Sequence, residues 1–366
     1  MPTNTLSNPP RRTAYLVLGM HRSGTSAVTQ MLALAGASLP QNLMAGDEHN
    51  AKGYFEPWKI AVLNDERLRA AGSAWDDVFA HPYVALPAAG ERPWIARAEA
   101  LFAEEYGDAP FPLLKDPRVT VLAPLWRTVL QDQDVGVRCA IPVRHPLAVA
   151  GSLARRNGFP LEKSVLLWTT YMLAAEAHTR DLPRAFVSYD GLLADWRAEA
   201  SRMEAAHGAA LPGLDARAAT AIDKFLTPEL RHNAAEQSLA DLGWAGRLAA
   251  GVFDWFEAAS RGEGGSPEVL ESAGAELSRR RAEVGFLVSP AARDLDAARA
   301  ELADLRWRLE FERAEAGRER EETAAAAKAY VVGLHAQIEA LGGEIRAVRQ
   351  ECADAARHLD SILADV

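Results

Sequence analysis

The chain has 366 residues, 40 basic and 50 acidic side chains for a net charge of −10, and it is 49% hydrophobic and 25% charged. These are the proportions of a soluble globular protein, which excludes wholesale disorder, collagen-like repeats and disulfide scaffolds, and the acidic balance excludes a general nucleic-acid coat. Two cysteines, Cys139 and Cys352, cannot build a disulfide framework or a four-cysteine zinc site, and they fit a reducing compartment.

Residues 1–10 are polar and Pro-rich, and the next apolar run, Ala14 to Leu18, is too short for a signal-peptide core or a membrane span. The expected location is cytoplasmic. That first run has the length of a buried strand, and Pro112 to Leu114, Cys139 to Val143 and Ala185 to Ser188 are further short apolar runs. Helical patterns lie at Thr25 to Ala35, Trp58 to Ala71, Trp94 to Tyr106, Leu147 to Arg155, Lys163 to His178 and Leu192 to His207. This alternation predicts an α/β domain with a mostly parallel sheet flanked by helices, whose ligands bind beyond the carboxyl ends of the strands.

The α/β domain is expected over residues 1–260, followed by a linker and short helix over 261–289 and a helical tail over 290–366. Ser260 to Pro267 is linker-like, and Pro290 is expected to punctuate the chain. In the tail, Val331, Leu334, Ile338, Leu341, Ile345, Val348, Cys352, Ala355, Leu359 and Ile362 alternate in steps of three and four. An earlier seam, Leu295, Ala298, Leu302, Leu305 and Leu309, is one residue out of frame with them. The pattern predicts a coiled coil that makes the protein a homo-oligomer; the alternative is an amphipathic helix packed on its own domain.

Two segments carry the chemistry. Tyr15-Leu-Val-Leu-Gly-Met-His-Arg-Ser-Gly-Thr-Ser26 runs from a strand through a Gly-bounded loop into a helix. Gly19 and Gly24 have phosphate-loop spacing, and backbone N–H groups with a helix N-terminus suit an anion. Where a nucleotide triphosphatase has lysine this chain has Thr25, and its cation is Arg22 inside the loop. The second segment is Cys139-Ala-Ile-Pro-Val-Arg144-His-Pro-Leu-Ala-Val-Ala-Gly-Ser152, where Pro146 suits a first helical turn and Ser152 follows Arg144 by eight residues. Taken singly, Arg144 could be a surface ion pair and Ser152 a helical serine bonded to the i−4 carbonyl.

The first loop resembles the 5′-phosphosulfate loop of sulfotransferases that use 3′-phosphoadenosine-5′-phosphosulfate (PAPS), in the carboxylate-base branch that includes the tyrosylprotein sulfotransferases. The resemblance covers roughly residues 12 to 235. It implies that Arg22, Ser23, Gly24, Thr25 and Ser26 hold the 5′-phosphosulfate, and that Arg144 and Ser152 bind the 3′-phosphate. Leu113-Leu-Lys115-Asp-Pro-Arg118 resembles the family's Lys-Asp-Pro segment, which implies that Lys115 assists transfer and leaves Asp116 to orient Lys115 or Arg118. Tyr189 is expected near adenine, with a strand-capping core tyrosine as the alternative. Arg231 is expected to close over nucleotide or acceptor.

Glu56 is the first choice of base, with Asp47, Glu48 and His49 as rivals; Glu56 could instead favour the dipole of the helix after Pro57. The expected activity is sulfuryl transfer from PAPS to an acceptor hydroxyl, without a metal. A carbohydrate or glycolipid acceptor is expected by analogy, and no nucleic-acid partner or membrane span is expected. The alternatives are a P-loop kinase or other ATP-dependent transferase, and a nucleotide-binding scaffold on a coiled coil.

Overall fold

The computed structural model of the protein describes residues 12–44, 46, 53–227 and 238–364. Four strands, β1 (Arg12–Val17), β2 (Leu113–Leu114), β3 (Val135–Val143) and β4 (Arg184–Ser188), form one sheet in the order β2-β1-β3-β4. All three pairings are parallel; Leu16 lies beside both Leu114 and Cys139, and Val143 beside Ser188. Each predicted strand is present. β3 starts four residues early, because Val135 to Arg138 continue its pairing with β1 although Gly136 and Arg138 break the apolar run.

Both faces of the sheet are covered, as a parallel sheet requires. Ala14, Leu16 and Leu18 enter one core with Leu114, Cys139 and Ile141, while Tyr15 and Val17 enter the opposite core with Leu113 and Ala140. This period-two partition is the strand repeat expressed as packing. The first core takes residues of α2 (Trp58–Ala70), α3 (Ala88–Tyr106), α5 (Ala123–Asp132), α6 (Pro146–Asn157) and α7 (Leu161–Ala177). The second takes α1 (Thr25–Leu34), α9 (Trp196–His207) and Ile222 of α10 (Ala216–Phe225).

The helix expected over Leu192 to His207 is two helices, α8 (Tyr189–Ala194) and α9. Asp195 separates them at φ −152°, and its carboxylate accepts from the N–H groups of Arg197 and Ala198, both at 3.1 Å, capping α9. Short α4 (Pro117–Val121) starts at an Asp116 cap. α11 (Gly243–Ser260) buries Ala245, Ala249, Val252 and Phe256 at helical spacing.

After α11 a six-residue connection, 261–266, leads into α12 (Pro267–Ala364). The connection is held by Trp255, whose Nε1 donates to the Ser266 carbonyl at 3.1 Å. A Cβ on Gly265 would lie 2.4 Å from the same Nε1, so any side chain there has to displace the indole.

The break expected at Pro290 is absent, and α12 runs through it. Proline removes one hydrogen bond, and the Ala- and Arg-rich residues on either side carry the helix on. The first compact unit ends at Ala297. Leu270, Ala273 and Leu277 join its core, and Asp296 pairs with Arg69 at 2.7 Å. In the second unit, from Ala298, the helix exposes Leu302, Leu305 and Leu309, and then Val331, Leu334, Ile338, Leu341, Ile345 and Val348. The seam residues from Cys352 onward lie outside the described side chains. Among the described residues, no helix is long and apolar enough to cross a membrane.

Candidate active site at the carboxyl edge of the sheet

The loop after β1 is built by backbone conformations that its residues select. The Leu18 N–H bonds to the Ala140 carbonyl at 3.0 Å, carrying the β1–β3 pairing one step past the strand. Gly19 then turns, and its N–H donates to Thr120 Oγ1 at 2.8 Å. Arg22 sits at φ +70° and Gly24 at φ +93°. Arginine in that left-handed region costs about 1 kcal/mol or more, a strain that functional loops often carry. Gly24 is required for a second reason, since a Cβ there would lie 2.3 Å from Cδ2 of Tyr189. α1 starts at Thr25, so its first N–H groups open toward the loop without an intrahelical acceptor.

The two segments singled out in the sequence meet here. Arg22 Nε donates to Ser152 Oγ at 2.8 Å across 130 residues of chain. Arg144 Nη1 donates to the Arg22 carbonyl, also at 2.8 Å, and its guanidinium lies 4.4 Å from the centre of the Tyr189 ring. Arg144 stands just past β3. His145 caps α6, accepting from the Leu147 N–H at 3.2 Å, with Pro146 in the first turn. Burial lowers the pKa of Arg144 from its usual value, with Tyr189 acting in the opposite direction.

Glu56 and Lys115 also come together. Lys115 leaves the end of β2 and pairs with Glu56, and both side chains are almost fully buried. Its ammonium also donates to the Tyr54 carbonyl at 2.8 Å and reaches Ser26 Oγ at 3.4 Å. Glu56 is turned inward by Phe55 at φ +57°, and its own carbonyl accepts from the Met44 N–H at 2.7 Å. The rivals Asp47, Glu48 and His49, and Arg231, lie outside the described residues.

A buried polar network backs Lys115. Asp116 is fully buried and accepts from Asn64 Nδ2 at 2.6 Å and from Arg118 Nη1 at 2.9 Å; Trp126 Nε1 completes Asn64 at 2.9 Å. Arg118 also pairs with Asp65. Burial opposes the Arg118 charge, but Asp116 and Asp65 outweigh it and hold the pKa well above the usual value. Asp116 thus orients Arg118. Asn64 and Asp65, nearly two helical turns past the start of α2, carried no sequence signal, because their partners lie more than fifty residues away.

No family model and no curated protein sequence matches the chain. Among solved structures it is similar to the sulfotransferase domain from the Synechococcus PCC 7002 olefin synthase, at 17% identity and a TM-score of 0.39, over 68% of this chain and 96% of that one. It is also similar to the sulfotransferase domain from the curacin biosynthetic pathway, at 16% identity and a TM-score of 0.34, over 65% of this chain and 96% of that one.

Proposed function

We propose that the protein is a sulfotransferase that moves a sulfuryl group from PAPS to an acceptor hydroxyl. The observation that carries this reading is the junction of Arg22, Ser152 and Arg144 at one sheet edge, beside the Glu56–Lys115 pair. A donor with phosphate at both the 5′ and 3′ positions needs two adjoining anion sites. Arg22 and the loop N–H groups suit the first, and Arg144 with Ser152 suits the second, since a guanidinium fork matches phosphate oxygens. Tyr189, packed under Gly24 and Arg144, offers its ring to the nucleotide.

The donor supplies a sulfuryl group on a phosphate leaving group; the acceptor oxygen bonds to sulfur as the bridging S–O bond breaks. Glu56 takes the acceptor proton, and its pairing with Lys115 holds its carboxylate in place beside the loop. Lys115 and Arg22 place positive charge where the leaving oxygen develops negative charge. Asp116 and Arg118 brace the segment that carries Lys115. We place the reaction in the cytoplasm and take a carbohydrate or glycolipid as the acceptor.

An ATP-dependent transferase is the competing reading. Thermal shift decides between them: adenosine 3′,5′-bisphosphate should raise Tm and ATP with Mg²⁺ should not. The reverse result overturns the sulfotransferase reading.

We further propose that the seam of α12 pairs with a second copy of the chain. Its apolar residues are exposed along the described helix, a recognised sign of an interaction surface. Glu344 and Arg349 flank it at the positions that face each other across a parallel, in-register pair.

A further inference from the structure

Two sets of aromatic and basic side chains adjoin the loop. One is Tyr189 with Arg144. The other is Trp75 with His21, Phe159 and Arg156, and nothing in the donor reading uses it.

His21 lies inside the loop, between Met20 and Arg22. Its ring meets Trp75 edge-on at 4.8 Å, and Trp75 stacks on Phe159 at 5.8 Å. His21 is only 8% exposed, and its Nε2 has no hydrogen-bond partner among the described residues. Burial, reinforced by Arg156, Arg118, Lys115 and Arg22, holds its pKa well below the usual value, so the ring is neutral at neutral pH. A buried imidazole nitrogen without a partner is costly, and a ligand's polar group can satisfy it.

Arg156 is the second anomaly. It follows Ser152 by four residues on α6, so the two share one helical face. Its guanidinium is half-buried, 5.6 Å from the centre of the Trp75 ring, and its Nε donates to Asn157 Oδ1 at 2.7 Å. No carboxylate pairs with it among the described residues. The contrast with nearby basic groups is sharp: Lys115 has Glu56, Arg118 has Asp65 and Asp116, Arg67 has Glu91, and Lys163 has Asp76. Burial and the charge of Arg22 act against the Arg156 cation, while Tyr54 and Glu56 act for it, which places it within electrostatic reach of the base. A half-buried cation on an aromatic wall, with no paired carboxylate among the described residues, is completed by an anion from outside.

We infer that Arg156, His21 and Trp75 form the acceptor subsite, and that the acceptor carries an oxyanion, a carboxylate or a phosphate ester, near the hydroxyl that is sulfated. This deepens the sulfotransferase reading and rests on it. Arg156 is the specificity-determining cation, His21 supplies a neutral hydrogen-bonding atom, and Trp75 is the apolar wall.

The test uses the full chain saturated with adenosine 3′,5′-bisphosphate. Three probes are titrated by calorimetry: methyl β-D-glucuronide, methyl β-D-glucoside 6-phosphate and neutral methyl β-D-glucoside. At least one anionic sugar is expected to bind about tenfold or more tighter than the neutral one. Arg156→Gln should erase that preference, Arg156→Lys should keep part of it, and both variants should hold the bisphosphate within about twofold of the parent, which also shows that they fold. Equal binding of the three sugars, or binding of none, overturns the inference. A loss of bisphosphate affinity in Arg156→Gln also overturns it and assigns the cation to the nucleotide. If the parent protein fails to bind the bisphosphate at all, the sulfotransferase reading itself falls, and this inference with it.

Discussion

The two halves of the candidate site differ in how their basic side chains are held. On the half proposed to hold the nucleotide, Arg22 bonds to Ser152, Arg144 bonds to the Arg22 carbonyl and Tyr189 packs against Gly24, while Ser23 Oγ is left for a ligand. On the other half, the Nε2 of His21 has no partner among the described residues, and Arg156 has no counter-charge among them. The arginines of the first half are positioned by folding, before any ligand arrives. The second half keeps unsatisfied groups, so its completion falls to a ligand. The contrast teaches where specificity can be sought: in the proposed reading, arginines already held in place suit one invariant donor, and a cation without a carboxylate partner among the described residues selects among acceptors.

The sharpest way to break the contrast is at Glu56, the proposed base. Glu56→Gln should lower kcat by roughly 10²–10⁴-fold, measured with labelled PAPS. Donor affinity should hold or rise, because Lys115 is released from its carboxylate partner. Near-normal turnover would move the base to Asp47, Glu48 or His49.

Next is Arg144→Ala. Losing a charge-assisted contact should cost about 1.5–3 kcal/mol in binding adenosine 3′,5′-bisphosphate and leave 5′-AMP nearly unchanged. Equal losses for both nucleotides would make Arg144 structural. Gly24→Ala should then weaken both nucleotides together and lower stability by about 1–3 kcal/mol, because its φ is +93° and the new Cβ meets the Tyr189 ring. Chemical denaturation with nucleotide titration reads both effects.

Smaller still is the effect of removing residues after Ala297. The remaining unit keeps its core and the Arg69–Asp296 pair, so nucleotide binding should stay within about twofold. Light scattering should show a fall from dimer to monomer. An unchanged association state would assign the seam of α12 to a different partner, and a cut at Pro290 should be less stable because it discards Asp296.

A last effect, visible only at low pH, lies far from the chemistry. His81 and His178 meet edge-on at 5.5 Å, and burial pulls both down to about 4, with His178 adding to the shift of His81 and Arg127 to that of His178. The unfolded chain binds protons below about pH 6.5, while the folded pair stays neutral. Stability should therefore be full above that pH and decline as pH falls from 6.5 toward 4. Denaturation midpoints across that window check the sign, and His81→Gln with His178→Gln should flatten the slope.

Much of this frame was legible in the sequence. The four strands could be read because each is a short apolar run, and the loop could be read because Gly19, Arg22 and Gly24 lie within a few residues. The loop and the Arg144–Ser152 segment each follow a predicted parallel strand, which puts both at one sheet edge, but the direct bond from Arg22 to Ser152 was not legible. The split at Asp195 was missed because the apolar pattern continues across a cap that only hydrogen bonding reveals. The continuity of α12 was missed because Pro290 usually ends a helix. The role of Asn64, and the lack of a carboxylate partner for Arg156 among the described residues, were not legible at all, because both depend on what the folded chain brings within reach.

The connection between α11 and α12 has a consequence for engineering. Its three glycines suggest a freely variable spacer, but they are not equivalent. Gly262 has φ +80° and Gly265 faces the Trp255 indole, whereas Gly264 meets nothing within 4 Å. Alanine at 264 should raise stability by about 0.4–1 kcal/mol by narrowing the unfolded ensemble, and alanine at 265 should lower it by displacing the indole. A fluorophore or affinity handle grafted at 264 therefore has room, and one grafted a single residue later would pry the helix from its clasp.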